Sequence, residues 1–164
     1  METTFRKFEK ALARVEARLP GAPHQEVLIT RLYFHLMPRV HEFLNLGLKG
    51  QGLNETLFMA LMGLYASEDM SIQPSSLSTM LGFSRTNATR VADELTRQGW
   101  AERRECADDR RCVRLHLTEA GIACIHRVVP VHREQLRDMW SSFEPEELAE
   151  LQRLLRKLLV RLEA

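Results

Sequence analysis

The chain has 164 residues, the size of one domain or of one domain with helical extensions. An apolar fraction of 45% supports a packed core and excludes wholesale disorder, and there is no apolar run of the kind a membrane span or a signal peptide needs. Net charge is +1, so a nucleic-acid partner would have to be met by the placement of charge rather than its sum; three cysteines, at 106, 112 and 124, make a poor disulfide framework and fit a reducing cytosol.

Residues 4–19 carry Phe5, Phe8, Leu12, Val15 and Leu19 at spacings of three and four, which predicts a helix, and Pro20-Gly21-Ala22-Pro23 ends it. A long second helix is predicted over 25–48, with the stripe Leu28, Leu32, Leu36, Val40, Phe43 and Leu44. Pro38 lies inside it and leaves the Phe34 carbonyl without its helical donor, so a bend is expected there. Gly47, Gly50 and Gly52 stop this helix. Asn54 is a good N-cap for a third, over 55–65, which is apolar nearly all round and predicts the buried spine of a small core.

Pro74 suits the first position of a fourth helix, whose Leu77, Met80 and Leu81 face inward, and Gly82 suits a left-handed turn at its end. Ser84 caps a fifth helix, running to Gln98 with Val91 and Leu95 inward; Gly99 stops it. After Trp100 the pattern changes from period 3.6 to period 2. Residues 101–105 and 113–117 predict a hairpin with a charged link between them. Thr118 caps another helix, with Glu119 in its first turn, which runs past Pro130 to Trp140. From Pro145 a last helix carries leucines at 148, 151, 154, 155, 158, 159 and 162, more than a small domain can hide; they call for a partner. The fold class is therefore mainly α: a winged helix-turn-helix with a two-stranded β wing, over 53–118. It is flanked by N-terminal (1–52) and C-terminal (119–164) helices that read as dimerisation elements.

A helix placed in a major groove offers its first turn and a half to base edges. Here those positions hold Ser84, Arg85, Thr86, Asn87, Thr89 and Arg90. Arginine pairs bidentately with guanine and asparagine with adenine, while hydroxyls and the helix N-terminus suit phosphate. A solvated, polar-capped helix accounts for the same residues. The hairpin adds Arg103, Arg104, Arg110, Arg111 and Arg114, and arginine on a thin hairpin can enter a minor groove. Asp108 and Asp109 partly cancel that charge, and a carboxylate there can hold an arginine in a fixed pose. A charged turn that only keeps the protein soluble is the plainer alternative.

These residues resemble the MarR family of bacterial transcription regulators. Its wing signature is Asp-x-Arg, five residues, then Leu-Thr, here Asp109-Arg110-Arg111, residues 112–116, then Leu117-Thr118. The run Leu81-Gly82-Phe83-Ser84-Arg85-Thr86-Asn87-Ala88-Thr89-Arg90 also matches. Together with Gly99-Trp100-Ala101-Glu102-Arg103-Arg104-Glu105 and the start of the third helix, it looks like the family's multidrug-efflux repressors. The resemblance implies a cytoplasmic homodimer, nucleoid-associated when bound, that straddles a palindromic double-stranded DNA operator. It implies that Asp109 orients Arg111 and that Arg110 or Arg111 enters the minor groove, with Arg104 beside them. It further implies a small aromatic or anionic effector.

Arg31 and His35, one helical turn apart near Pro38, could hold a carboxylate or phenolate, with Tyr33, Met37, Met59 and Met62 as a soft wall. Solvated, interfacial or core positions account for all six as well. Cys106 and Cys112 flank the arginine-rich tip, where a thiolate would be favoured, so a redox-sensing regulator is an alternative. A winged-helix module that docks on protein is another. The spacing Cys106, Cys112, His116 does not converge on a metal, and no cofactor is expected. No phosphate loop, His-Glu-x-x-His or nucleophile elbow is present, so an enzyme is not expected.

Overall fold

The computed structural model describes residues 4–19, 21, 23–82, 84–105 and 113–164. The chain divides into two compact units, Met1–Glu55 and Thr56–Ala164.

The first unit is a helical hairpin of α1 (Thr4–Arg18) and α2 (His24–Lys49). Phe5 joins the two, its ring centroid 5.8 Å from Phe8 and 5.5 Å from His35. α2 remains helical for 26 residues across Pro38, so the proline interrupts one hydrogen bond and not the element. Its end is closed by Gly52 at φ +73°, with the Leu53 N–H donating to the Leu48 carbonyl at 3.1 Å, the Schellman arrangement. Asn45 was not anticipated: its Oδ1 accepts the Glu55 N–H at 2.8 Å and satisfies one of the donors that a helix start leaves open.

The second unit holds all but the first residue of α3 (Glu55–Ala66), then α4 (Pro74–Leu81), α5 (Arg85–Arg97), α6 (Glu119–Trp140) and α7 (Pro145–Glu163), with strands β1 (Ser71–Ile72), β2 (Ala101–Glu105) and β3 (Val113–Leu117). α3 buries Leu57, Phe58, Ala60, Leu61 and Leu64, as its all-round apolarity predicts. It lies on α6, where Phe58 meets His132 with centroids 4.5 Å apart and Tyr65 meets His126 edge-on. Leu77, Val91, Leu95, Leu115, Ile125 and Val128 complete the core, each buried side chain contributing about 1.5–3 kcal/mol.

The expected β2–β3 hairpin forms, with Ala101 opposite Leu117 and Glu105 opposite Val113. A third strand joins it. The two residues of β1 pair antiparallel with the other edge of β3, giving the order β1-β3-β2. Two residues are too few to show a period, which is why the sequence pattern predicts only a two-stranded wing.

α6 also continues unbroken through its proline, Pro130. At the head of α7, Glu144 stands where a serine or threonine usually caps; the carboxylate of Glu147 accepts the Glu144 N–H at 2.9 Å, one half of a capping box. No residue of α7 is buried, and Leu154, Leu155, Leu158, Leu159 and Leu162 stand exposed.

Gly121 has a role that its place in the sequence does not announce. A Cβ there would lie 2.2 Å from the Trp100 carbonyl oxygen and 2.8 Å from a Leu117 methyl, so α6 approaches β2 this closely only with glycine. Gly63 also lacks room, but its neighbour is the tip of the exposed Met80 side chain. Gly121→Ala is expected to cost about 1–3 kcal/mol, because backbone must yield. Gly63→Ala should be neutral or slightly stabilising, since Met80 swings away and alanine favours a helix. Urea unfolding of the two variants reads the contrast.

Candidate nucleic-acid interface

α4 and α5 form the helix-turn-helix. Gly82 makes the turn at φ +66°, a left-handed conformation that costs glycine nothing, and its N–H donates to the Ser78 carbonyl. Ser84 follows in extended backbone and caps α5, its Oγ accepting the Asn87 N–H at 3.3 Å. The inner face of α5 is Ala88, Val91, Ala92 and Leu95, all buried. The two alanines were not among the predicted inward residues; small side chains carry little periodic signal.

Ser84, Arg85, Thr86, Thr89 and Arg90 are exposed and Asn87 is half-buried. The six predicted reading residues therefore share the open side and first turns of one helix. The Thr89 hydroxyl donates to the Arg85 carbonyl at 3.1 Å.

The charges around this helix are sorted. At its far end Arg97 and Gln98 donate to Glu94, and those bonds hold the Glu94 carboxyl down to about 2. Arg103 on β2 reaches back to Asp93 on α5 at 2.6 Å. Arg104 is paired with Glu102, two residues away on the same face of β2. Arg114 is bound to Ser71 and Asp69. Arg85 and Arg90 alone on α5 have no ion-pair partner among the described residues. Unpaired guanidinium groups thus stand at the start of α5, where helix dipole and open N–H groups already favour an anion. Arg103 and Arg114 are engaged by the protein's own acids, and Arg114 by the buried Ser71 as well. Arg103 and Arg104 stay candidates, because an exposed pair is worth only about 0–1 kcal/mol and yields readily to phosphate.

Asp109, Arg110 and Arg111, the predicted tip of the wing, lie outside the described residues, as do Cys106 and Cys112. Cys124 is buried, and burial pushes its thiol pKa up, against a smaller opposite pull from Arg127. Such a thiol is a poor nucleophile. Among the described residues no group of three or more His, Cys, Asp or Glu could hold a metal ion, and no helix is long and apolar enough to cross a membrane.

The predicted effector residues fall on both units. In the first, Arg31 and Tyr33 are exposed, Met37 is half-buried, and half-buried His35 is engaged by Phe5. In the second, Met62 is half-buried and Met59 stands 47% exposed, an exception to the burial expected along α3.

A sequence profile of the MarR family matches residues 53–113, which take in α3 to the wing. Over 163 residues the chain is 47% identical to the transcriptional repressor MprA of Escherichia coli K12, a match that covers 99% of this chain and 93% of that one. Among solved structures, Sco3205 of Streptomyces coelicolor, a MarR family regulator in complex with DNA, superposes with a TM-score of 0.79 at 22% identity, covering 85% and 89% of the two chains. A mutant MarR from E. coli complexed with operator DNA gives 0.74 at 24% identity, over 82% and 96%.

The cap makes a separable prediction. Ser84→Ala should lower stability by about 0.5–1 kcal/mol, the low end for an N-cap because the bond is long. Chemical denaturation measures it, and Ser84→Asp should restore the loss.

Proposed function

The chain belongs to the MarR family of DNA-binding transcriptional regulators, and we propose that it acts as a homodimeric repressor whose operator affinity is lowered by a small aromatic or lipophilic ligand. The likeness to the E. coli repressor carries this reading, because it extends beyond the winged unit through α1, α2 and α7. The regulated genes would be those of an efflux or stress operon, as the sequence resemblance implies, and the protein would work in the cytoplasm on the nucleoid.

The dimer is supported by α7, whose leucines are exposed in a single chain, and by the exposed Ile29, Leu32, Phe34 and Leu36 of α2. Apolar surface on that scale marks an interface. Two copies would set two α5 helices about one turn of DNA apart, to read half-sites of a palindrome roughly 10 base pairs apart. Arg85, Asn87 and Arg90 would meet base edges, with Ser84, Thr86 and Thr89 at phosphate or thymine methyl. Arg110 or Arg111 would enter the minor groove, posed by Asp109, with Arg104 on the flanking backbone.

Binding should weaken steeply with salt through counterion release. Arg111→Ala is expected to flatten the slope of log affinity against log salt by about one, while Asn87→Ala should leave the slope alone and relax base preference. Titrations of a selected duplex at several salt concentrations read both. Specific binding indifferent to salt and to both changes would overturn DNA recognition by this surface and favour a protein-docking module.

Effector control is tested separately. An aromatic acid or uncoupler-like phenol that prefers the unbound spacing should lower operator affinity by about 1–3 kcal/mol, roughly five- to 150-fold. Arg31→Ala and His35→Ala should blunt that response without changing affinity in its absence. Release by none of a panel of such compounds would remove the ligand from the proposal and leave the DNA-binding surface untouched.

A further inference from the structure

Arg114 rises from β3, opposite Arg104 on β2, and its guanidinium is bound by the segment that precedes α4. Its Nε donates to Ser71 Oγ at 2.7 Å. One terminal nitrogen donates to the Ser71 carbonyl at 2.9 Å and to both Asp69 carboxylate oxygens at 3.2 Å. The Ser71 hydroxyl donates to Asp69 at 2.8 Å, and the Ser71 N–H donates to the same carboxylate at 3.2 Å. Ser71 is the buried polar side chain among the described residues, 1% exposed. The Ser71 hydroxyl, and after it the Arg114 charge, hold the Asp69 carboxyl below its ordinary range.

Met70, between the two partners, sits at φ +50°, a left-handed conformation uncommon for any residue but glycine. That turn places the Met70 carbonyl to accept the Leu117 N–H at 2.9 Å. The segment 69–71 is thus fastened to β3 at both ends, and it leads directly through Gln73 into α4. β1 offers β3 only two paired residues. Without the side-chain bonds this edge would be a short, yielding joint between hairpin and helix-turn-helix.

We infer that Asp69, Ser71 and Arg114 form a clamp that fixes the wing hairpin against the helix-turn-helix, which makes Arg114 a positioning residue for operator binding and not a DNA contact. The inference rests on the proposed DNA-binding role. Its physical basis is preorganisation: a hairpin already held at its binding angle loses less freedom on binding. The Asp69–Arg114 pair is too exposed to matter greatly as a charge pair; the directional bonds to buried Ser71 supply the rigidity.

The sign of one substitution decides the matter. Neutralising an acid near DNA should raise affinity if only charge counts. The clamp demands the reverse. Wild type, Asp69→Asn, Arg114→Gln and the double variant are titrated by fluorescence anisotropy on a duplex that the wild type has selected from a random pool. The titrations run over several salt concentrations, with thermal melts to show that each protein is folded. Asp69→Asn is expected to bind about tenfold more weakly with an unchanged salt slope, and the double variant no more weakly than either single one, the signature of a shared interaction.

Asp69→Asn binding as tightly as wild type, or more tightly, overturns the clamp. So does a double variant returned to wild-type affinity by offsetting charges, or a slope lowered by about one in Arg114→Gln, which would mark a phosphate contact. Should Asp69→Asn fail to fold, Ser71→Ala carries the same test, with weaker binding at unchanged slope expected and unchanged affinity overturning it. Failure of the wild type to select any duplex overturns the DNA-binding role and the clamp together, whereas the results above overturn the clamp alone.

Discussion

One threonine joins the parts of the winged unit. The Thr118 hydroxyl donates to the Gly99 carbonyl at 2.7 Å and accepts the Gly121 N–H at 3.1 Å, and its backbone N–H donates to the Trp100 carbonyl at 3.1 Å. The end of α5, the start of β2, the end of β3 and the start of α6 therefore meet within a few ångströms. The glycine at 121 allows the approach, since any side chain would collide with the same Trp100 carbonyl. Gly99 at φ +71° closes α5, with the Trp100 N–H returning to Leu95, and so aims the chain at this point. The threonine that ends the wing signature is thus an N-cap and a junction bolt.

From that junction the charge distribution becomes intelligible. A chain of net charge +1 cannot attract a polyanion by its total. It can do so by using up its acids elsewhere. Asp93 takes Arg103, Glu94 takes Arg97, Glu102 takes Arg104 and Asp69 takes Arg114, each within the winged unit. Most of these pairs are exposed and contribute little to stability. Their consequence is spatial: positive charge without a local partner is left at the first turns of α5, at Arg85 and Arg90. The Arg103–Asp93 pair also links β2 to α5, so wing stem and helix are joined by side chains as well as by backbone.

Much of this was legible in the sequence, for physical reasons that can be named. Helices with strong start and stop chemistry, such as Ser84 with Gly99 or Pro74 with Gly82, fall within a residue or two of their predicted bounds. The alternation of Val113, Leu115 and Leu117 located β3. What could not be read has no local signature. β1 is too short for a period. Gly121 looks like any glycine after a cap, and only the position of Trp100 shows why it is needed. Asn45 acts on a backbone group ten residues away. Arg114 follows the charge pattern of a DNA-binding hairpin and is held by partners more than forty residues earlier in the chain. At the candidate interface, composition identified the outward residues of α5, whereas the division of arginines into paired and unpaired required their neighbours.

These connections also constrain how a signal could travel. α6 is held to the end of α5 through Thr118, and to α3 through the Phe58–His132 and Tyr65–His126 contacts. Its other end leads by a short turn into α7, whose leucines are exposed. A shift of α7 that displaced α6 along its axis would meet the Trp100 carbonyl at Gly121, where there is no slack for compression. Packed interiors do not deform continuously. The displacement would pass to α5 and β2 as rigid-body motion instead of being absorbed in the core. Two such units joined at α7 would then change the distance between their α5 helices, the quantity to which a palindrome of fixed spacing is most sensitive.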